Sequence, residues 1–230
     1  MTIGIIGAMD EEIALLLNNM TDTKEETIAN SLFVEGKLFG KEVVLLKSGI
    51  GKVNAAMGAT IMHERYAPSH VINTGSAGGF AEKLKVGDVI ISTEVVYHDV
   101  DVTAFNYAYG QVPKMPETFK ADSVLINKAT ESIENLDIAY EKGLIATGDT
   151  FMEAKDHVAF VRNKFPQMLA SEMEAGAIAQ VCHQYETPFV VIRALSDIAG
   201  KASAVSFDEF LDQAAKNAAQ LIMDTIQKVK

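Results

Sequence analysis

Thr2-Ile3-Gly4-Ile5-Ile6-Gly7 is a short apolar run closed by glycine, and Met9 to Asn19 comes at once after it with Ile13, Leu16 and Leu17 at helical spacing. A strand handed directly to a helix opens a layered α/β chain, and the rest of the sequence repeats the alternation. Strands are expected at His70 to Thr74, Asp88 to Tyr97, Ala139 to Ala146, Met168 to Ser171 and, behind Pro188, Phe189 to Ala194. Helices are expected at Gly51 to Tyr66, Asp122 to Asn135, Glu153 to Asn163 and Glu172 to about Tyr185. The apolar runs Leu32 to Leu38 and Val43 to Leu46 flank Phe39-Gly40-Lys41, which reads as a hairpin and makes the sheet mixed. A last helix should begin at Ser206, where the capping box Ser206-x-x-Glu209 precedes Phe210, Leu211, Ala214, Ala215, Ala218, Ile222 and Ile226. Residues 99 to 118 carry aromatics, Gly110, Pro113 and Pro116 without a period, and so long a connection points to function.

The chain has 230 residues, 48% hydrophobic and 22% charged, enough apolar surface for a sizeable core. No Pro-, Gly- or Ser-rich stretch divides it, so one domain over residues 1–230 is expected. A net charge of −11 repels phosphate backbones and anionic lipid, which argues against nucleic acid or membrane partners and for a small neutral or cationic ligand. The first residues lack a basic n-region, their apolar run stops at Asp10-Glu11-Glu12, and Cys182 is the single cysteine. A cytoplasmic protein is the natural expectation.

Several motifs fail on inspection. Gly49-Ile50-Gly51-Lys52 would be a phosphate-binding loop only with glycine at 46 and a hydroxyl residue at 53, where Leu46 and Val53 stand, and a dinucleotide fingerprint would need a small residue in place of Asn54. A strand-to-helix turn that needs small residues accounts for it. Gly75-Ser76-Ala77-Gly78-Gly79 lacks the leading glycine of a nucleophile elbow because Thr74 occupies that place, and no histidine comes after Asp197 to complete a triad. His98-Asp99-Val100-Asp101 lacks paired histidines elsewhere, so no metal is expected and the charges read as a solvated loop.

Three acids remain at strand ends or helix starts, where an α/β sheet opens its ligand crevice: Glu12, Glu174 and Asp197. Each has a structural account. Glu12 complements a helix dipole, Ser171-x-x-Glu174 is a capping box, and Asp197 sits in a polar turn.

A wider pattern gives them a common role. Ile3 to Glu12, Lys47 to Ala56, Ile72 to Gly79, Tyr97-His98-Asp99, Thr103-Ala104-Phe105, Tyr109-Gly110-Gln111, Glu172 to Ala175, Arg193 to Asp197 and Ser206 to Phe210 together resemble the 5′-methylthioadenosine/S-adenosylhomocysteine nucleosidases nearly end to end. The resemblance implies a nucleoside-phosphorylase-like three-layer fold, a mixed twisted central β-sheet flanked by helices, and a homodimer acting on a small nucleoside without cofactor or metal. It implies Asp197 as the acid that protonates adenine N7, Glu12 as the group that activates water, and Glu174 as acceptor for the ribose hydroxyls. Ser76 and Arg193 are expected around water and sugar, Met173 beneath the ribose, and Phe151 and Met152 along the adenine. Met9, Ile50 and Phe207 are expected around the 5′-thio group, with Glu172, Ser196 and Ala199 completing the substrate site. Phe105 and Pro113 should reach into the neighbouring subunit's site.

The residue types suit the chemistry. Cleaving a ribosyl–adenine bond develops positive charge on the sugar and negative charge on the base, so an acid at the base and a carboxylate for water are both useful. Asp197 then needs an apolar setting that keeps its proton, while Glu12 stays ionised. Departures from the family pattern are Asp10 for glutamate, Ser171 for an apolar residue, and Met152-Glu153-Ala154-Lys155 for a small polar run beside the purine. A phosphorylase of the same fold is the nearest alternative, but phosphate sites favour arginine and only Arg65, Arg162 and Arg193 are present, none in the early loops. A nucleosidase for aminodeoxyfutalosine and a silent nucleoside sensor are further alternatives; the presence of both Glu12 and Asp197 argues against the sensor.

Overall fold

The computed structural model describes residues 1–201 and 203–229. Its elements in chain order are β1 (Ile3–Gly7), α1 (Asp10–Asn18), β2 (Thr21–Ile28), β3 (Ser31–Leu38), β4 (Lys41–Lys47), α2 (Lys52–Tyr66), β5 (His70–Gly79) and β6 (Val89–Tyr97). After a 3-10 turn at Thr103–Phe105 come β7 (Phe119–Lys120), α3 (Ser123–Ile133), β8 (Tyr140–Thr147), α4 (Lys155–Lys164), β9 (Met168–Glu172), α5 (Ala175–Gln184), β10 (Phe189–Ile198) and α6 (Ser203–Lys228).

The expected mixed sheet is present. β1 lies parallel between β4 and β5, and β3 pairs antiparallel with β4 through a two-residue loop, Phe39-Gly40, with φ of 51° and 77°. Both positive angles match the tight turn whose twist suits a hairpin. β10 pairs parallel with β5 and antiparallel with β6, β6 with β8, β8 with β9, and β9 returns to the end of β5. Those five strands therefore close into a ring, a stronger curl than an open sheet.

Both faces of the central strands are covered, and successive residues serve opposite cores. Ile3 and Ile5 join the core beneath α1, α3 and α6, with Leu16, Ala129 and Ile222; Ile6 joins the core beneath α2 and α5, with Ala59, Met62 and Ile178. A third cluster of Phe80, Leu144, Val158 and Phe165 seats α4. Among the described residues no helix is long and apolar enough to cross a membrane.

Four expectations need correction. β2 was not foreseen: all its residues but Ile28 are exposed, and Thr21-Asp22-Thr23-Lys24-Glu25-Glu26-Thr27 has no apolar alternation to read. β5 and β10 run past Thr74 and Ala194 because their glycine-rich and polar ends pair with each other, Gly75 with Arg193 through Gly79 with Ile198. The helix expected from Glu172 starts at Ala175, since Glu172 still belongs to β9. The last helix starts at Ser203, so Ser206 is not its cap; its hydroxyl donates to the Ser196 carbonyl at 3.0 Å, and Phe210 stays exposed.

Candidate active site

Side chains gather at the turns that close β1, β4, β5, β8, β9 and β10. β1 ends at Gly7, and the chain turns through Ala8 and Met9 into α1, which brings Glu12 back under that turn. Its Oε2 accepts from the Ala8 amide at 2.8 Å and the Met9 amide at 3.3 Å, and its Oε1 from the Ser76 amide at 2.9 Å and the Ser76 hydroxyl at 3.2 Å. Gly75 makes this approach possible. Its φ is +150°, and a Cβ there would lie 2.6 Å from Glu12 Oε1 and strike Arg193 Nη1.

On β10 the register shifts between Leu195 and Asp197, leaving Ser196 as the extra residue of a bulge. Without it, Leu195 and Asp197 would share a face; with it, Leu195 stays in the core while Asp197 turns into the cavity. Asp197 is 2% exposed, and Gly78 leaves room for it, since a Cβ there would come within 3.1 Å of Oδ2. Burial raises its pKa above the ordinary aspartate value, against the opposing pull of the Ser196 and Ser203 hydroxyls.

Beneath these sits a buried charge network. Arg193 pairs with Glu172 at 2.5 Å, lies 3.6 Å from Glu174, donates to Asn73 Oδ1 at 3.0 Å and also donates to the Thr74 carbonyl. Glu172 Oε2 accepts from the amides of Glu174 and Ala175 at 2.9 and 2.8 Å, so it caps α5, and its Oε1 accepts from the Thr147 hydroxyl. Glu174 has Gly51 N–H on Oε1 at 2.9 Å. Burial, then the neighbouring Glu172 and Glu12 charges, push Glu174 up to about 8 despite Arg193 and the Gly51 amide.

Glu12, Glu174 and Asp197 all line one cavity of about 360 Å³. Three acids on one cavity wall, two of them pushed by burial toward the protonated form, can give and take protons at a bound molecule.

The profile of the phosphorylase superfamily matches residues 2–227. A 5′-methylthioadenosine/S-adenosylhomocysteine nucleosidase of Oceanobacillus iheyensis is 61% identical over 229 residues, covering all of both chains. The chain belongs to that nucleosidase family. Among solved structures, the family's Neisseria meningitidis nucleosidase in complex with methylthio-immucillin-A is 49% identical with a TM-score of 0.97, covering 99% of each chain. The Colwellia psychrerythraea nucleosidase in complex with adenine is 50% identical with a TM-score of 0.98, covering all of this chain and 96% of the other.

Against the family expectations, the cavity wall contains Met9, Glu12, Ile50, Ser76, Phe151 and Met152. It also contains Glu172, Met173, Glu174, Ser196, Asp197 and Phe207, with Phe151 and Phe207 in edge contact, their ring centroids 5.9 Å apart. Arg193 and Ala199 are not on that wall, and neither are Phe105 and Pro113, which were expected in the neighbouring subunit's site. Arg193 lies behind the wall, its Nη atoms held by Glu172, Asn73 and the Thr74 carbonyl and its Nε without a partner among the described residues, and Ala199 is buried past β10, its amide donating to the Gly79 carbonyl. Phe105, 76% exposed, and Pro113 lie on the surface, so neither belongs to its own chain's cavity. Ala77, Thr150 and Asp208 line the cavity unforeseen, and Asn73 and Thr147 hold the buried network. Asn73 and Thr147 could have been suspected as polar residues in or at the end of apolar strand runs; Thr150 and Asp208 carry no such signal.

Proposed function

We infer that the chain hydrolyses the N-glycosidic bond of 5′-methylthioadenosine and S-adenosylhomocysteine, releasing adenine and the corresponding thioribose. The observation that carries this reading is the convergence of Glu12, Glu174 and Asp197, from three separate turns, on one cavity that also takes Met9, Ile50, Phe151, Met152 and Phe207 into its wall. Water attacks C1′, the C1′–N9 bond breaks, and its electron pair leaves with the base. Asp197 gives a proton to adenine N7, a role suited to a buried acid that keeps its proton above the usual range. Glu12, with Ser76 beside it, takes the proton of the attacking water. Glu174 accepts from the ribose hydroxyls, Met173 lies beneath the sugar, and the apolar residues at the mouth take the 5′-thio substituent, where a free hydroxyl would be left unpaired. Arg193 acts through Glu172 and Glu174 as a positioning residue.

Water rather than phosphate is the nucleophile. No lysine or arginine is among the described residues lining the cavity; Arg65 pairs with Glu26, Arg162 donates to the Phe80 carbonyl, and Arg193 is committed to Glu172. Phosphate would meet the Glu12 carboxylate with no cation to offset the repulsion. Incubation with methylthioadenosine, with and without phosphate, should yield free 5-methylthioribose at the same rate; a ribose 1-phosphate product would overturn the assignment.

The working unit is a homodimer. α2 and α5 leave a surface groove lined by Val53, Ala56, Thr60, Val181 and Tyr185. Lys52 Nζ contacts Asp99 at 2.6 Å, which puts the root of the 99–118 loop on the same side. A second copy docked there covers the exposed Val53 and carries Phe105 and Pro113 towards its neighbour's cavity. Sedimentation at assay concentration should give a dimer, and a fully active monomer would contradict the shared site. The cytoplasm is the compartment we assign, on the acidic chain and its single, buried cysteine.

A further inference from the structure

Two consecutive amides at the start of α2 are held by carboxylates from distant parts of the chain. Gly51 N–H donates to Glu174 Oε1 at 2.9 Å, and Lys52 N–H donates to Asp149 Oδ1 at 2.8 Å. The N-cap of α2 is Gly51 itself, at φ +94°, so the helix has no cap side chain of its own and its first turn is steered from outside. Asp149 is fixed in turn. Its amide donates to Asp99 Oδ2 at 3.0 Å, and Lys52 Nζ bridges Asp99 at 2.6 Å and Asp149 Oδ2 at 3.7 Å. A carboxylate at a helix N-terminus is favourable, but this one also sets the direction of the peptide beside it.

We propose that Asp149 is a positioning residue for the ribose subsite: by gripping the Lys52 amide it aims the Gly51 N–H at Glu174. This rests on the reading of Glu174 as the acceptor of the ribose hydroxyls. Asp149 does not line the cavity, although Thr150, Phe151 and Met152 after it do. Glu174 is faced by Glu172 from β9, Arg193 from β10, Glu12 from α1 and the Gly51 amide from α2; of these only Arg193 and the amide favour its charged form. Losing the grip on Lys52 loosens a glycine that has no side chain to restrain it, weakens the amide's hold on Glu174, and moves ionisation of Glu174 to higher pH.

The test compares wild type, Asp149→Ala, Asp149→Asn and Lys52→Met with methylthioadenosine across pH 6 to 9, with adenine as a competitive inhibitor that carries no ribose. Asp149→Ala should raise KM about 10-fold, the scale of one charge-assisted hydrogen bond, with kcat changed less than about 3-fold. The acid limb of 1/KM should move to higher pH, and the inhibition constant for adenine should stay within about 2-fold. Asparagine keeps an oxygen for the Lys52 amide and should restore most of the loss; Lys52→Met, which removes only the bridging ammonium, should show a smaller rise of the same pattern. An unchanged KM, an unmoved limb, or an adenine constant rising in step with KM overturns the proposal. If Asp149→Ala does not fold, Lys52→Met is held to the same criteria. Wild type that releases no adenine would instead defeat the parent reading, whereas active wild type with indifferent variants removes only Asp149's role.

Discussion

Glu174→Gln should make the protein more stable, by an amount that depends on pH. Glu174 is buried beside Glu172 and Glu12, and its carboxyl is pushed up to about 8 from an ordinary 4.5. Between those values the folded chain holds a proton that the unfolded chain has released, so stability falls as pH rises through the window. Below pH 4.5 both states are protonated and the group costs nothing; above pH 8 both are ionised and the cost is complete. At about 1.4 kcal/mol for each pH unit, the wild type carries roughly 3 kcal/mol of destabilisation at pH 7 from this residue. Glutamine cannot ionise, keeps an oxygen for the Gly51 amide and fills the same space. Urea unfolding of both proteins at fixed concentration should therefore give curves that coincide near pH 4 and separate by about 3 kcal/mol at pH 7 and more at pH 9. The same variant should lose the rise in 1/KM that wild type shows as Glu174 ionises near pH 8. A stability difference that does not change with pH would refute this reasoning, because it would mean that Glu174 carries its charge in the folded state without penalty.

Glu12→Gln should lower turnover by about 100-fold or more and also lower the melting temperature, since the glutamine NH2 would face donors from Ala8 and Met9 or from Ser76 that now give to a carboxylate oxygen, a loss of roughly 1–3 kcal/mol; a residue that only complements a helix dipole would cost about 0.3–1 kcal/mol and nothing in rate. Asp197→Asn should lower turnover on a similar scale, about 100-fold, with an unfolding midpoint at neutral pH no lower than wild type, because it removes an acid whose charging burial opposes; nucleosides with better leaving bases should recover part of the rate. Near-normal turnover in either variant removes that residue from the mechanism. Gly75→Ala should cost roughly 1–3 kcal/mol of stability and most of the activity, as its Cβ would collide with Glu12 and Arg193; a variant indistinguishable from wild type in denaturation and adenine release would show that this approach is not needed.

The layered α/β class, the hairpin and most elements were legible because their residues bury apolar faces with a clear period, as in Ile3 to Gly7 or Ala214 to Ile226. β2 was not, since an exposed edge strand that half-buries only Ile28 leaves no alternation to read and is held by hydrogen bonds that any backbone can make. The extensions of β5 and β10 were hidden for a related reason: glycines and polar residues pair there to shape a cavity rather than a core. Ser206 shows the opposite error, a capping pattern present in the letters but overridden by an earlier helix start. At the site, residue types and segment order pointed to Glu12, Glu174 and Asp197, whereas the retreat of Arg193 behind the wall comes from three-dimensional pairing with Glu172 that no local pattern encodes.

The closed circuit of β5, β10, β6, β8 and β9 divides the molecule into parts that open on different timescales. Each strand of the circuit has a neighbour on either side, so amides inside it, such as that of Ile192, should exchange with solvent hydrogen far more slowly than those of β2. β2 has one strand partner and seven exposed residues, and beyond β3 the Glu26–Arg65 pair and the packing of Ile28 tie it down, so it should fray before the circuit opens. Ser76 and Asp197 stand on the circuit itself, and Glu12 is hydrogen-bonded to it through Ser76. Substitutions that accumulate in the outer arm can thus erode the protein's reserve of stability while the spacing of its carboxylates, and with it the chemistry, stays as it was.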